Sequence, residues 1–236
     1  MKVKADLHLH SCLSPCGDND MTPYNIVNMA KLLGYDMIAL TDHNSCLNCE
    51  GAVEAGKKAG ITVVPGMELC TAEEIHCICL FPETNAALEF SDYIRSTMPD
   101  IKNRPDIYGE QIIMGSQDEI TGREDRLLHL ASSVSVDSLV SLVSGYDGVC
   151  FPAHLDRNSY SLLSVIGFVY PELCFRAAEF TPDADVAPFL EKHPLLKEMK
   201  ILKNSDAHYL ENMLPPVQTL ELRECSAKAL TEFLNS

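Results

Sequence analysis

The chain has 236 residues, room for one domain with a sizeable core, and its 46% hydrophobic and 22% charged residues exclude a disordered chain. Its 18 basic and 34 acidic residues leave a formal charge of −16, which argues against broad binding to long nucleic acid but not against a short nucleotide in a locally positive pocket. Residues 1–6 carry no apolar signal core, the longest apolar stretch (162–174) is broken by Gly167 and Pro171, and ten cysteines in that setting read as reduced thiols. A cytoplasmic protein off the membrane is expected.

In chain order, residues 3–9 predict a strand. A helix over 24–33 follows, started by Thr22-Pro23, with Ile26, Val27, Ala30 and Leu33 on one face. Residues 37–40 predict a buried strand, 50–59 an Ala-rich helix, 61–64 and 75–81 two strands, and 83–94 a helix. From 98 to 133 the chain is polar, with Pro99, Pro105, Gly109, Gly115 and Gly122 and no clear strand, and reads as an insertion on one rim. A helix over 134–143 returns the chain. Strands over 148–151, 175–180 and 200–203 then alternate with helices over 159–166 and 187–197. About seven strand–helix units imply a parallel sheet closed into a barrel, a single domain over 1–236 that carries the insertion within it.

Polar residues gather at the predicted strand ends. His8 and His10 alternate in the first strand and so share a face. Thr41-Asp42-His43-Asn44 ends the second strand and Gly66-Met-Glu68 the third; His76 lies in the fourth. His154 follows the fifth in Ala153-His154-Leu-Asp156-Arg157, and Ser205-Asp206-Ala-His208 ends the last. A lone histidine is more often core than ligand, but in a parallel barrel the strand ends meet on one rim. Six of the eight histidines occupy such positions; His129 and His193 do not, and carry no site role. Imidazole and carboxylate together suit Zn, Mn or Fe rather than Ca or Mg.

These motifs, Asp6-Leu-His8-Leu-His10-Ser11 through Ser205-Asp206-Ala-His208, resemble those of the PHP (polymerase and histidinol phosphatase) superfamily, most closely its small stand-alone phosphoesterases acting on nucleotides. The resemblance implies a distorted (β/α)7 barrel with three divalent metal ions at its rim. His8, His10, Glu68 and Asp206 would hold the first. Glu68, His76 and His154 would hold the second, and Asp18, His43 and His208 the third. Asp20 is an alternative to Asp18, which keeps the family's spacing to Thr22-Pro23. The implied activity is hydrolysis of a small phosphate ester (a nucleotide, a sugar phosphate or a short oligonucleotide end) by a metal-bound hydroxide. His8, His10, Glu68, Asp206 and His208 would then be the catalytic set, and His208 or a metal-bound water would protonate the leaving group.

Around that set, Arg157 reads as a phosphate clamp or a surface ion pair, and Asn44 as a substrate contact. Asp42 reads as an acid/base group or as the carboxylate that orients a ligand imidazole, and Glu179 as a possible outer contact of the same kind. Arg123 and Arg126 read as a solvated charged helix or a substrate cap. Cys12, Cys16, Cys46 and Cys49 would make a second metal or cluster site only if their two loops touch, whereas Cys77 and Cys79 read as core. Two alternatives to the phosphoesterase stand. One is an amidohydrolase-like metalloenzyme, which would want a lysine on the fourth strand. The other is a non-catalytic metal-organised module, which would be expected to have lost ligands.

Overall fold

Short buried runs build the centre of the molecule, described for all 236 residues by a computed structural model. The elements are β1 (Lys2–Leu9), α1 (Pro23–Leu33), β2 (Met37–Leu40), α2 (Cys49–Ala59), β3 (Thr62–Cys70), β4 (His76–Leu80), α3 (Thr84–Thr97), α4 (Pro105–Tyr108), β5 (Ile112–Met114) and β6 (Ile120–Arg123). After the hairpin come α5 (Val136–Ser144), β7 (Val149–Pro152), α6 (Leu162–Val165), β8 (Ala177–Phe180), α7 (Ala187–Lys192), β9 (Lys200–Lys203), β10 (Thr219–Glu221) and α8 (Ala227–Asn235). No helix is long and apolar enough to cross a membrane.

The main sheet has the order β10-β1-β2-β3-β4-β7, and β8 pairs with β9. Backbone bonds join the two sheets: Leu155 N donates to Glu179 O (2.8 Å) on one side, and Asp206 N to His8 O and His10 N to Ala207 O (both 3.0 Å) on the other. The result is a distorted (β/α)7 barrel of β1, β2, β3, β4, β7, β8 and β9, with the polar insertion at the rim. One strand runs against the rest: β4 is antiparallel to both β3 and β7.

Side-chain parity sorts the interior. Val3, Ala5 and Leu7 of β1 pack with Met37, Ala39, Val64, Ile78, Leu80, Phe151, Ala177 and Leu202 in the barrel lumen, closed below by Leu230 and Leu234 of α8. Strict alternation after Leu7 would turn Leu9 inward. Instead the β1–β2 register shifts between Asp6 and Leu9, Leu9 packs on the helix side, and His8 is buried above the lumen. Apolar burial thus fills the barrel floor and leaves a polar layer at its mouth.

The helices follow their capping signals. Thr22 caps α1, its Oγ1 accepting from Asn25 N (3.1 Å), with Pro23 in the first turn and Gly34 closing the helix at φ 84°. The expected helix over 187–197 is divided at Pro194, whose missing N–H ends α7 and leaves a 3-10 turn over Pro194–Glu198. Only Leu162–Val165 of the expected 159–166 helix is α-helical, because Ser161 caps it late.

The insertion departs from its sequence reading. It holds a β5–β6 hairpin rather than no strand, and Ile112 and Met114 pack on Cys12. Asn48 fastens the hairpin to the barrel, donating to Ile112 O (3.1 Å) and accepting from Met114 N (2.9 Å). Arg123 and Arg126 form neither a charged helix nor a cap. Arg123 lies in β6 and pairs with Glu110 (2.6 Å), and Arg126 pairs with Asp100 (3.2 Å).

Candidate metal centre

The motif residues meet at the barrel mouth although they come from six strands. Glu68 lies inside β3, not at its end, since β3 runs on to Cys70 and turns back as β4. Two residues earlier, Gly66 is needed for close approach: a Cβ there would sit 2.7 Å from Cys79 O and from the Leu80 side chain. Three sets of ligand atoms each lie within 4.8 Å of one another: His8, His10, Glu68 and Asp206; His43, Glu68 and His76; and His10, His43 and His208. His154 joins through Nε2, 3.2 Å from Glu68 Oε1. Asp18 stands apart: its Oδ1 accepts from Asp20 N (2.8 Å), and its own N–H donates to His208 O (2.9 Å).

Outer contacts fix the tautomers. His8 Nδ1 lies 2.9 Å from Glu179 Oε1, and because a carboxylate only accepts, that nitrogen carries the hydrogen. Ser14 donates its hydroxyl to Asp42 Oδ1 (2.7 Å), so its oxygen accepts from His10 Nδ1 (2.9 Å). Both rings therefore turn Nε2 inward, and those two nitrogens are 3.1 Å apart. Each is also 3.1 Å from Asp206 Oδ1, and Glu68 Oε1 and Oε2 lie 3.3 and 3.4 Å from His8 and His10. Asp206 Oδ1 and His43 Nδ1 are buried without an aligned hydrogen-bond partner, although His43 Nδ1 lies 2.9 Å from Glu68 Oε2. Ligand atoms converging this closely out of water require positive charge between them, a proton or a metal ion, and this donor set fits divalent transition-metal ions.

The titration behaviour follows the same crowding. Burial disfavours a charged imidazole, yet Asp206, Glu179 and Glu68 raise His8 above its ordinary value, and Asp206 and Glu68 push His10 up to about 9. Burial and neighbouring imidazoles lower His43 to about 4 and His208 to about 3, so both are neutral. Against burial, the surrounding imidazoles hold Glu68 and Asp206 well below the carboxylate range. The backbone adds strain: His154 (φ 30°) and Asp206 (φ 52°) are left-handed without being glycine.

Several sequence readings change. Asn44 is no substrate contact: buried at φ 49°, it donates to Leu128 O (2.6 Å) and Leu130 O (2.9 Å) and accepts from Cys70 N (2.9 Å). Asp42 serves His10 through Ser14 rather than its neighbour His43. Glu179 supports His8 and is itself held by Asn204 Nδ2 (2.7 Å). Arg157 Nη1 reaches Asp206 Oδ2 at 2.6 Å from the rim. Tyr160, not singled out by sequence, stacks on His76 with centroids 4.6 Å apart. The four thiols do not meet: Cys12 donates to Ile112 O, Cys46 and Cys49 to Gly66 O, and Cys16 is exposed. Burial also pushes the Cys12 thiol up to about 12, away from a thiolate.

Fold and donors together define a barrel with a buried imidazole–carboxylate centre at one rim. The chain belongs to the PHP domain family, whose model matches residues 6–164, and is thereby a member of a superfamily of metal-dependent hydrolases. A 5'-3' exoribonuclease of Haemophilus influenzae is 32% identical over 103 residues, 40% of this chain and 36% of that protein. The chain spans less than half the length of the curated relatives it matches. Among solved structures, endonuclease Q of Pyrococcus furiosus shares the fold with a TM-score of 0.65 at 17% identity, over 100% of this chain and 56% of that one. An amidohydrolase of Chromobacterium violaceum shares it at 0.62 and 16%, over 95% and 93% of the two chains.

One expectation is overturned here. Net acidity was read as excluding long nucleic acid in favour of a small phosphorylated substrate. Endonuclease Q, with the same fold (TM-score 0.63, 17% identity, 98% of this chain and 56% of that one), has been solved with a 27-mer duplex whose abasic lesion lies at the active site. The field at the mouth is set locally, so a formal charge of −16 is no ground for exclusion.

Proposed function

We propose that the chain is a metal-dependent phosphoesterase that hydrolyses phosphodiester bonds of nucleic acid. One observation carries the reading: the buried Nε2 atoms of His8 and His10 both face Asp206 and Glu68 at 3.1–3.4 Å, four ligand groups converging on one point. His8, His10, Glu68 and Asp206 would hold one ion, Glu68 with His76 and His154 a second, and His43 with His208 a third. Asp18 would complete the third site through Oδ2, its Oδ1 accepting from Asp20 N. Mn, Fe or Zn bound there would supply Lewis-acid charge for phosphoryl oxygens and bring a water pKa towards neutrality.

The chain's own residues do the rest. Arg157 turns its guanidinium fork to a phosphate oxygen at the edge of the centre. His208, neutral and with its Nδ1 hydrogen donated to Asp206 O (2.9 Å), has no proton to give, so the leaving oxygen would take its proton from water. Asp42, Ser14 and Glu179 keep the two inner imidazoles in one tautomer. The exoribonuclease relative and the shared fold of endonuclease Q support nucleic acid as the substrate class. The amidohydrolase reading lacks its lysine, since histidine occupies position 76 at the start of β4.

The test is metal-dependent cleavage of end-labelled single-stranded RNA, single-stranded DNA and abasic duplex by the reloaded protein. Cleavage of at least one, lost in His10→Ala and Glu68→Ala, is expected. A reloaded protein that cleaves none of them would overturn the reading.

A further inference from the structure

Beside the metal centre lies a second concavity of about 370 Å³, between the loop that follows β7, α6 and α7. It is lined by Arg157, Asn158, Leu163, Phe189, Lys192 and His193. We infer that this cleft is the subsite for the nucleoside unit flanking the cleaved phosphate. This inference rests on the phosphodiesterase reading above.

Continuity comes first. Arg157 lines the cleft and also touches Asp206 Oδ2 at 2.6 Å, so a strand held at the centre enters the cleft within one side chain's length. Charge comes second. Arg157 and Lys192 face the space, and the one acidic lining residue, Asp156, spends its oxygens on Thr181 N (2.9 Å) and Thr181 Oγ1 (2.5 Å). In a chain of formal charge −16, a hollow lined by two bases and one acid is less acidic than the surface as a whole.

The walls are those of a ligand with one flat apolar face and polar edges. Phe189 is set edge-on against Phe180 (centroids 5.2 Å, 68°), which holds its ring in place, and Leu163 adds apolar surface. His193 is 9% exposed, and burial together with Lys192 keeps its ring neutral. A neutral imidazole offers one donor and one acceptor, suited to a base edge or a sugar hydroxyl. A free phosphate would leave the apolar wall bare, whereas a purely apolar ligand would leave the Lys192 ammonium unmet. The volume is in the range of small-ligand pockets.

The experiment compares two substrates on the metal-loaded full chain. Bis(p-nitrophenyl) phosphate carries the diester without a nucleoside; a short oligonucleotide carries both. In Lys192→Glu and Phe189→Ala, the ratio of kcat/KM for the oligonucleotide to that for the aryl diester should fall about tenfold. The control Lys31→Glu on α1 should keep the ratio. A ratio within about twofold of wild type in both cleft variants would overturn the inference. Absence of cleavage of either substrate by the wild type would defeat the proposed function instead. The cleft is then read by titrating adenosine 5'-monophosphate and following the His193 ring signal by NMR, identified by its loss in His193→Gln. A saturable shift supports the subsite, and a stationary signal overturns it.

Discussion

Glu179 Oε1 lies 2.9 Å from His8 Nδ1, and its other oxygen is held by Asn204 at 2.7 Å, so an acid on β8 sets the tautomer of a histidine on β1. The contact spans the seam where the barrel closes. Glutamine in its place could donate as well as accept, releasing the constraint on His8. Glu179→Gln should lower metal affinity about tenfold to a hundredfold in a chelator competition titration. Unchanged affinity would remove Glu179 from the account.

Metal uptake should be steeply pH-dependent. His10, pushed up to about 9, carries a proton in the metal-free protein at neutral pH, and a metal ion must displace it. As pH falls below 9, proton competition grows, and apparent affinity should drop by up to about tenfold per unit for each proton displaced. His43 and His208, at about 4 and about 3, add no competition near neutrality. Titrations at pH 6, 7 and 8, with proton release measured in buffers of different ionisation enthalpy, check the slope.

Asp6 should mark the stability curve. Burial raises its carboxyl from 3.8 to about 6, although Ser205 N and His8 N donate to it. Between those values the native state keeps a proton that the unfolded chain has lost, so the native state binds more protons and stability falls as pH rises through the window. The effect is at most about 3 kcal/mol and should vanish in Asp6→Asn. Urea denaturation of the metal-free protein from pH 4 to 7 measures it.

Asn44 should be a staple. Its side chain joins the β3–β4 turn, at Cys70, to Leu128 and Leu130 at the end of the insertion. Asn44→Ala leaves two buried backbone groups and one half-buried one without these partners and should cost about 2–4 kcal/mol in denaturant unfolding. Faster amide exchange over residues 127–133 should accompany that loss.

Much of this was legible locally. Strand-end motifs and the shared face of His8 and His10 are short-range patterns, and they meet because parallel strand ends share a rim. The direction of β4 is not written in five residues, and its reversal puts Glu68 inside a long β3. β6 is mostly exposed and carries no alternating signal, so the hairpin was invisible. The partners of Asn44 lie 84 and 86 residues away, which no local motif reports. For α8 a signal was available and passed over: Ser226 as cap, then Ala229, Leu230 and Leu234 at helical spacing.

The central claim is that the converging imidazoles and carboxylates at the barrel mouth cage cations. Metal analysis of the protein reloaded with Mn²⁺ and freed of excess tests it most directly, with Glu68→Ala beside it, since Glu68 belongs to two of the three ligand sets. The account predicts about three ions per wild-type chain and a clear deficit in the variant. Fewer than about one ion per wild-type chain, or equal content in both proteins, would contradict it.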